Sequence, residues 1–190
     1  GQPGQTATVN WSVVNDGLGV ATKPWLDRLY LSSGGTLAGA MFLGSVEHST
    51  NLLPTGHYDA SASVVLPNVS DGAYRLVIVT DDGNAVFEKN ADSNNLLASA
   101  ATITIGRPDL VPAVVSSPSS ATGGDSITFE WKVTNSGSDN ASGSWVDRVY
   151  LSTNATLDAT DRLLGELGHT GLLAAGADYI AIGPVYATGT

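Results

Sequence analysis

The chain has 190 residues, no cysteine, and a formal net charge of −10 with only eight lysine and arginine residues. This balance argues against a nucleic-acid-binding protein, because phosphate groups are neutralised by clusters of basic residues. No apolar run approaches the roughly 20 residues that a membrane-spanning helix needs, and the missing cysteines exclude disulfides and thiolate metal sites. We therefore expect neither nucleic-acid binding nor membrane insertion.

Apolar and polar residues alternate near the start of the chain. The alternation covers residues 6–15, where Trp11 lies among the apolar positions, and it recurs over residues 126–133 around Trp131. A period of two predicts a half-buried strand, so both tryptophans are expected to face a core. No segment has the period of 3.6 that is typical of an amphipathic helix. Further strands are predicted over 25–32, 58–66, 74–80 and 98–105.

A repeat of about 120 residues organises the sequence. Residues 4–32 and 124–152 share 13 identities in 29 ungapped positions, where ordinary composition gives roughly two by chance. The segment Trp25-x-Asp-Arg-x-Tyr-Leu-Ser recurs from Trp145. After a one-residue insertion the match continues through a leucine–glycine dipeptide and a tyrosine. The chain therefore contains two copies of one unit.

The dipeptide Arg107-Pro108 marks the joint between the copies, since proline after a strand resists continued pairing. We expect a first β-sandwich over 1–106 and a second over 107–190. The first is expected to lack its N-terminal strand and the second its C-terminal strands. Sandwiches that lack strands leave apolar faces and backbone donors unpaired, so strands from other parts of a longer chain, or from a neighbouring subunit, are expected to complete them.

A turn before Tyr74 indicates which type of sandwich the chain forms. In immunoglobulin-like sandwiches a tyrosine near the start of one strand hydrogen-bonds back to the preceding turn, two residues before a core cysteine. Here Leu76 takes the cysteine's place, and packing of Trp11 and Trp25 between the sheets is expected to replace the disulfide. The predicted fold class is all-β, with tandem immunoglobulin-like sandwiches.

Several motifs in order resemble bacterial CARDB modules. They are the repeated Trp-x-Asp-Arg-x-Tyr-Leu-Ser segment, Pro108-Asp-Leu-Val, Tyr74-x-Leu-x-Ile-x-Thr-Asp, and the stretch from Glu88 to Asn95. The resemblance implies immunoglobulin-like repeats in large secreted or surface proteins of bacteria or archaea, with a role in adhesion. The second copy departs from the first, because it has Asp158-x-x-Asp161 where the first has Ala38 and a gap.

The duplicated tryptophans and aspartates have two interpretations each. Trp11, Trp25, Trp131 and Trp145 are expected to be core residues, although exposed rings would suit sugar stacking. Asp27 and its counterpart Asp147 share a strand face with a tryptophan, so a buried carboxylate there needs donors such as turn N–H groups or an indole N–H. Arg28 points to the opposite face, toward Tyr30 or a carboxylate on a neighbouring strand.

The three histidines are predicted to be loop or solvent-exposed residues. They are His48, His57 and His169, and His48 and His169 match if the insertion lies nearby. Catalysis needs a nucleophile, a base and an orienting group that converge, and no such set recurs beside these histidines.

An acidic stretch is the best metal candidate, because hard cations prefer clustered oxygen ligands. The alternative is a pair of polar turns in which Asp and Asn bind their own backbone. A second and weaker acidic candidate comprises Asn154, Asp158 and Asp161. The candidate calcium ligands of the first stretch are Asp81, Asn84, Glu88, Asp92 and Asn94.

We expect a non-enzymatic structural or adhesion module of a larger surface, secreted or fibre-forming protein, located outside the cell or on its surface. Calcium is the one cofactor considered. The expected partners are other repeats of the chain or neighbouring subunits, and a surface glycan or protein ligand. Two alternatives remain open. One is a carbohydrate- or peptide-binding accessory module of a secreted enzyme, and the other is a filament subunit completed by strands of a neighbouring chain.

Overall fold

A computed structural model describes residues 1–22, 24–88 and 93–186. The described residues form strands, turns and loops without an α-helix, and they include no helix that could cross a membrane. The chain divides into two compact units, Gly1–Gly106 and Arg107–Thr190. The all-β, immunoglobulin-like sandwich class predicted from the sequence is confirmed.

The first unit consists of two packed sheets. Strands β1 and β4 form one sheet, and β3, β2, β5 and β6 form the other in that order, with β7 also paired to β5. The bounds are β1 Thr6–Val14, β2 Trp25–Ser32, β3 Met41–His48, β4 His57–Val65, β5 Gly72–Val79, β6 Leu96–Ala98 and β7 Ile103–Ile105.

The core of this unit lies between the two sheets, where the alternating residues of β1 and β2 meet. Trp11 on β1 and Leu29 on β2 are buried in one cluster with Val64. Leu76 and Ile78 of β5 pack against the same cluster. Burial of one face of each strand explains why the period of two is so regular, since a one-residue slip would expose every core side chain.

The tyrosine corner is confirmed. Tyr74 lies near the start of β5, and its hydroxyl donates a hydrogen bond of 2.8 Å to the carbonyl of Ser70. The turn before the strand is thereby tied to the strand itself, as in other immunoglobulin-like sandwiches.

The single strand predicted over 98–105 is wrong, because the chain forms two short strands, β6 and β7, with a break between them. In the break the Ser99 hydroxyl donates to the carbonyl of Ala101, and the Arg75 guanidinium donates to the carbonyls of Ser99 and Ala100. Side-chain hydrogen bonds of this kind compete with the strand ladder and interrupt it.

The sequence did not predict β3, and a bulge explains why. The pairing of β3 with β2 shifts register between Leu29 and Tyr30, which lie opposite Gly44 and Phe42, so Leu43 is left over. An extra residue breaks the strict alternation on which the prediction relied.

The second unit also has two sheets. Strand β9 lies between β12 and β8, and β10 pairs with β11. The bounds are β8 Leu110–Ser116, β9 Ser126–Asn135, β10 Ala141–Leu151, β11 Arg162–Leu173 and β12 Asp178–Tyr186. The core cluster of this unit contains Trp131, Val133 and Ala181.

The two units share local detail beyond their strands. The pairing of β10 with β11 skips Leu164 between Val149 and Tyr150, the counterpart of the bulge at Leu43. The one-residue insertion therefore lies before the bulge of the second unit, in the loop between β10 and β11, where matched positions before and after the loop are one residue further apart than in the loop between β2 and β3.

An asparagine with the same hydrogen bonds also recurs, half-buried as Asn15 and fully buried as Asn135. Asn15 accepts the N–H of Gly17 and donates to the carbonyl of Leu52. Asn135 accepts the N–H of Gly137 and donates to the carbonyl of Leu173. Each asparagine thus closes the turn that follows β1 or β9 and ties that turn to the segment before β4 or β12.

Candidate functional site

A polar cluster of the first unit is centred on Asp27, which is 1% exposed. Its Oδ2 accepts the indole N–H of Trp11 at 2.8 Å and the hydroxyl of Tyr58 at 2.7 Å. The same tyrosine oxygen accepts the indole N–H of Trp25 at 3.1 Å. Two indoles, one phenol and one carboxylate therefore form a continuous chain of hydrogen bonds.

An imidazole completes this cluster. The ring of His48 stacks on Tyr58 with centroids 3.9 Å apart and planes 18° apart, and it lies 4.6 Å from the ring of Trp25. We call the five residues Trp11, Trp25, Asp27, His48 and Tyr58 the first aromatic–carboxylate network.

The second unit repeats every contact of this network. Asp147 Oδ2 accepts the indole N–H of Trp131 at 2.9 Å and the hydroxyl of Tyr179 at 2.7 Å. Trp145 donates to Tyr179 at 3.0 Å, and His169 stacks on Tyr179 with centroids 4.3 Å apart. These five residues are the second aromatic–carboxylate network.

Each network joins the two sheets of its sandwich. In the first unit, Trp11 and Tyr58 come from the β1–β4 sheet, whereas Asp27 and its neighbours come from β2 and β3 of the other sheet. The carboxylate is therefore the point at which donors from one sheet reach an acceptor on the other. Charge-assisted hydrogen bonds of this kind are about twice as strong as neutral ones.

The environment holds both tyrosines in the neutral form. Burial, followed by the hydrogen bond to Asp27, raises the pKa of Tyr58 well above its usual range. The same causes raise the pKa of Tyr179 to about 12. A neutral phenol can donate to the carboxylate, whereas a phenolate would repel it, so the hydrogen bond and the protonation state support each other.

The aspartate prediction is confirmed, because the donor to Asp27 is an indole N–H. The other carboxylate oxygen, Oδ1, is buried without a hydrogen-bond partner among the described residues. Arg28 reaches a carboxylate at the end of the neighbouring strand, since its guanidinium forms an ion pair with Asp82. Its counterpart Arg148 pairs instead with Glu166 on β11, at 3.2 Å.

The tryptophans are core residues in three of four cases. Trp11, Trp25 and Trp131 are 8%, 4% and 6% exposed, whereas Trp145 is half-buried. Burial of these rings leaves no flat, open surface for sugar stacking at the first three positions.

The prediction that His48 and His169 lie in loops or in solvent is wrong. Both rings lie on strands, β3 and β11, and both stack on the tyrosine of a network. Stacking on a flat ring removes one imidazole face from water, which favours a fixed position on the strand. His57 is the exposed first residue of β4 and takes no part in the network.

The predicted calcium ligands lie in and after the loop that follows β5. Asp81 is buried, and its two oxygens accept the N–H groups of Ala85 and Val86 at 2.8 Å each. Glu88 accepts the side-chain N–H of Asn95 at 2.8 Å. Asn84 and Asn94 are exposed, and Asp92 lies outside the described residues.

Within the described ranges, no group of three or more histidine, aspartate or glutamate side chains could hold a metal ion. Asp81 and Asn84 both have φ near +48°, a backbone conformation in which aspartate and asparagine are found in tight turns. The contacts of Asp81 are those of a turn-forming residue, and calcium binding at this stretch stays a prediction.

The weaker acidic candidate lies in the loop between β10 and β11. Asp158 accepts the N–H and the hydroxyl of Thr160 at 2.8 and 2.6 Å, and these hydrogen bonds lower the pKa of its carboxyl. Asp161 accepts the N–H of Asp158, and Asn154 accepts the N–H of Thr156. All three side chains thus bind the backbone of their own loop.

Sequence reasoning did not place the tyrosines and histidines in one cluster, although their recurrence between the two copies was visible. Tyr58 and Tyr179 match at an offset of 121, and so do His48 and His169. All four follow the one-residue insertion. The common offset indicates that each residue occupies an equivalent position in the two copies.

The two networks are therefore the same structure built twice from residues at matching positions. No curated protein matches the chain. The family model CARDB matches residues 107–179, a range that contains all five residues of the second network. This segment of the chain is similar to CARDB-type immunoglobulin-like domains.

Proposed function

We propose that the chain is a non-enzymatic structural module of a larger secreted or surface protein, in which both units are CARDB-type repeats of an adhesive or fibrous stalk. The observation that carries this proposal is the duplicated aromatic–carboxylate network. The five residues of the network are identical in the two copies, and they join the two sheets of each sandwich. A repeat that preserves its internal ties is typical of a protein that uses its domains as building units.

The chemistry of the networks supports a structural role. General acid–base catalysis is most effective when the pKa of the group lies near the working pH. Tyr58 and Tyr179 have pKa values raised away from neutrality, and both of their hydroxyl groups already donate and accept hydrogen bonds. The phenols are therefore positioned to hold the sheets together.

One surface feature favours the carbohydrate-binding alternative. Tyr30 and Phe42 form an edge-to-face pair, with centroids 5.6 Å apart, and Phe42 is 54% exposed. The pair lies on the outer face of β2 and β3, opposite the core. In the second unit the counterpart of Phe42 is Leu163, which cannot stack on a sugar as an aromatic ring does.

A glycan array probed with the labelled chain separates the two functions. The structural proposal expects no binding above background for the native chain and for Phe42→Ser. Saturable binding that Phe42→Ser abolishes, and that the matched control Leu163→Ser leaves intact, would assign the chain to carbohydrate recognition instead.

The proposed location needs a separate experiment. Antibodies raised against this chain should label intact cells of the source organism, or a culture supernatant. Protease treatment of intact cells should remove the cell-surface signal. A signal that appears only after permeabilisation would overturn the extracellular assignment.

A further inference from the structure

The segment that joins the two units has a feature that the proposed function does not use. Two of the eight basic residues of the chain stand directly before proline, in Lys23-Pro24 and Arg107-Pro108. Proteases of trypsin specificity cut after lysine or arginine, whose charge an acidic pocket recognises. They cut poorly before proline, because the ring fixes φ and replaces the N–H. Both bonds are therefore poor substrates on the basis of sequence alone.

Most of the other basic residues that the structure describes are placed where a protease cannot easily reach the backbone. A residue paired in a sheet has to leave its ladder before it is cut, whereas exposed connections are the usual sites of nicking. Among the basic residues of the described part of the chain, Arg107 is the one that lies in a connection between strands, and a cut there would separate the two units. The others lie in strands and are Arg28, Arg75, Lys132, Arg148 and Arg162.

The backbone of Arg107 is hydrogen-bonded within the second unit. Its N–H donates to the hydroxyl of Ser138 at 3.1 Å, and its carbonyl oxygen accepts the N–H groups of Ser138 and Asp139 at 2.9 and 3.2 Å. In a serine protease, the carbonyl oxygen of the residue that is cut enters an oxyanion hole, where N–H groups stabilise the negative charge that develops. The oxygen of Arg107 already accepts two N–H groups of its own unit, so it has to leave them before the protease can act.

The residue after the proline is held in the same way. The N–H of Asp109 donates to Oδ1 of Asn135 at 3.0 Å, and its carbonyl accepts the N–H of Ser136 at 2.7 Å. Gly137 lies so close to the segment that a Cβ on it would be 2.6 Å from the carbonyl carbon of Pro108. Main-chain hydrogen bonds to a protease on either side of the bond after Arg107 would therefore have to replace hydrogen bonds that are already made.

We propose that residues 135–139, which we call the joint clamp, protect the bond after Arg107 from proteases of trypsin specificity. Proline gives this bond one layer of protection, which is covalent. The joint clamp gives a second layer, which exists only while the second unit is folded. Cleavage then requires the clamp to open, so its rate follows the population of the open form. This inference does not rest on the proposed function, because the resistance belongs to the folded chain in any compartment.

Pro108→Ala in the full chain separates the two layers, because it removes the proline and leaves the joint clamp in place. The reference is a synthetic peptide of residues 102–113 with the same change, which has no clamp. Trypsin is added to each, and mass spectrometry of the early products gives the rate of cutting after Arg107. We expect the folded chain to be cut there at least about a hundredfold more slowly than the peptide, since several hydrogen bonds have to open together.

Two further changes, each made together with Pro108→Ala, weaken the clamp. Gly137→Ala forces the segment away from the loop and should raise the rate of cutting after Arg107 at least about tenfold. The matched control is Gly17→Ala, the same change at the matching position of the first unit, which should leave that rate unchanged. Ser138→Ala is milder, because it removes the hydroxyl that accepts the N–H of Arg107, and it should raise the rate about three- to tenfold.

Three results would overturn the proposal. Equal rates for the folded Pro108→Ala chain and the peptide would mean that the joint clamp gives no protection. An equal rise with Gly17→Ala and with Gly137→Ala would mean that the effect does not arise at the clamp. Early cutting after Lys132 would show that Gly137→Ala unfolds the whole unit, and the Ser138→Ala variant is then decisive. If Ser138→Ala leaves the rate of cutting after Arg107 unchanged, the proposal is wrong.

Discussion

The two units place the same residues in different surroundings. In the first network the hydrogen bonds to the aspartate measure 2.8 and 2.7 Å, and in the second they measure 2.9 and 2.7 Å. Yet Asp27 is fully buried, and Asp147 is only half-buried. The geometry of the network is thus fixed by the strands that carry it, whereas its shielding from water comes from β5 and its neighbours.

This comparison separates two contributions to stability, the hydrogen bonds of the network and the shielding of those bonds from water. A single domain does not allow the two to be told apart. The hydrogen bonds are present in both units, so a difference between matched mutations reports the effect of shielding. Each mutation below is made in the full chain. Native-state hydrogen exchange, read by mass spectrometry, gives the free energy of opening for each unit separately.

The largest effect is expected from the tryptophans at the sheet interface. Trp11→Ala should lower the stability of the first unit by about 3–5 kcal/mol, the range for truncating a large buried aromatic side chain. Trp131→Ala should cost less in the second unit, because the ring already borders a cleft into which neighbours can relax. A loss below about 1 kcal/mol for Trp11→Ala would show that the ring is not a core residue.

Replacing the carboxylate tests the network itself. Asp27→Asn keeps the shape but removes the charge that accepts two hydrogen bonds, and it should cost the first unit about 1.5–3 kcal/mol. Asp147→Asn should cost the second unit roughly half as much, because water reaches this carboxylate and screens the lost interaction. Equal losses of stability in the two units would contradict the conclusion that the networks share their hydrogen-bond geometry but differ in shielding from water.

A pair of glycines offers a comparison outside the networks. A Cβ at Gly137 would overlap the backbone carbonyl of Arg107 and would lie 2.5 Å from the backbone nitrogen of Asp109. At Gly17 the nearest atom is the side-chain oxygen of Asn15, at 3.0 Å. Gly137→Ala should therefore destabilise its unit by about 1–3 kcal/mol through overpacking.

The matched change Gly17→Ala should cost less than about 1 kcal/mol, because a side-chain oxygen can shift whereas a backbone cannot. Circular dichroism at increasing urea concentration gives a second measurement of both changes. A larger loss for Gly17→Ala than for Gly137→Ala would contradict the close approach of residues 107–109.

The tyrosines should make stability depend on alkaline pH. A tyrosine ionises near pH 10 in an unfolded chain, whereas the pKa of Tyr179 is raised to about 12 in the folded chain. The folded state thus binds the proton more tightly, and the contribution of the phenol is complete below about pH 10. It is lost as the pH rises through about 12.

Absorbance of phenolate near 295 nm, followed against pH, should show late ionisation in the native chain. Tyr58→Phe and Tyr179→Phe should each remove one late-ionising group and lower the stability of its unit by about 1 kcal/mol at neutral pH. Ionisation of all the tyrosines near pH 10 while the chain remains folded would refute the hydrogen bonds to the aspartates.

The smallest effect is expected from calcium. Both oxygens of Asp81 already accept backbone N–H groups, so we expect the melting temperature to be the same in chelator and in millimolar calcium. A ligand at 100 times its Kd would add about 2.7 kcal/mol to the stability of the folded state. A clear rise in melting temperature, lost in Asp81→Ala, would establish a calcium site.

Strands that bury one face against the core and expose the other were predictable from the sequence. Strand β2 was predicted with its bounds, Trp25–Ser32, because alternate residues are buried along its whole length. The tyrosine corner was predictable because its geometry is local, and Tyr74 bonds a carbonyl only four residues away.

Features that depend on contacts distant in sequence were not predictable in the same way. The break between β6 and β7 is held by Arg75, which is 24 residues from Ser99, and no local pattern signals that contact. His48 lies beside Tyr58 only because β3 and β4 belong to facing sheets, which the period of a single strand does not reveal. The clustering of Trp, Asp, Tyr and His needed the three-dimensional structure.

The aromatic–carboxylate network also sets the conditions in which each sandwich can fold. Many immunoglobulin-like domains tie their sheets with a disulfide, which requires an oxidising compartment. Here an indole, a phenol and a carboxylate tie the sheets, and none of them exchanges electrons with thiols. Because the chain has no cysteine, the ties between its sheets do not depend on the redox state of the surroundings.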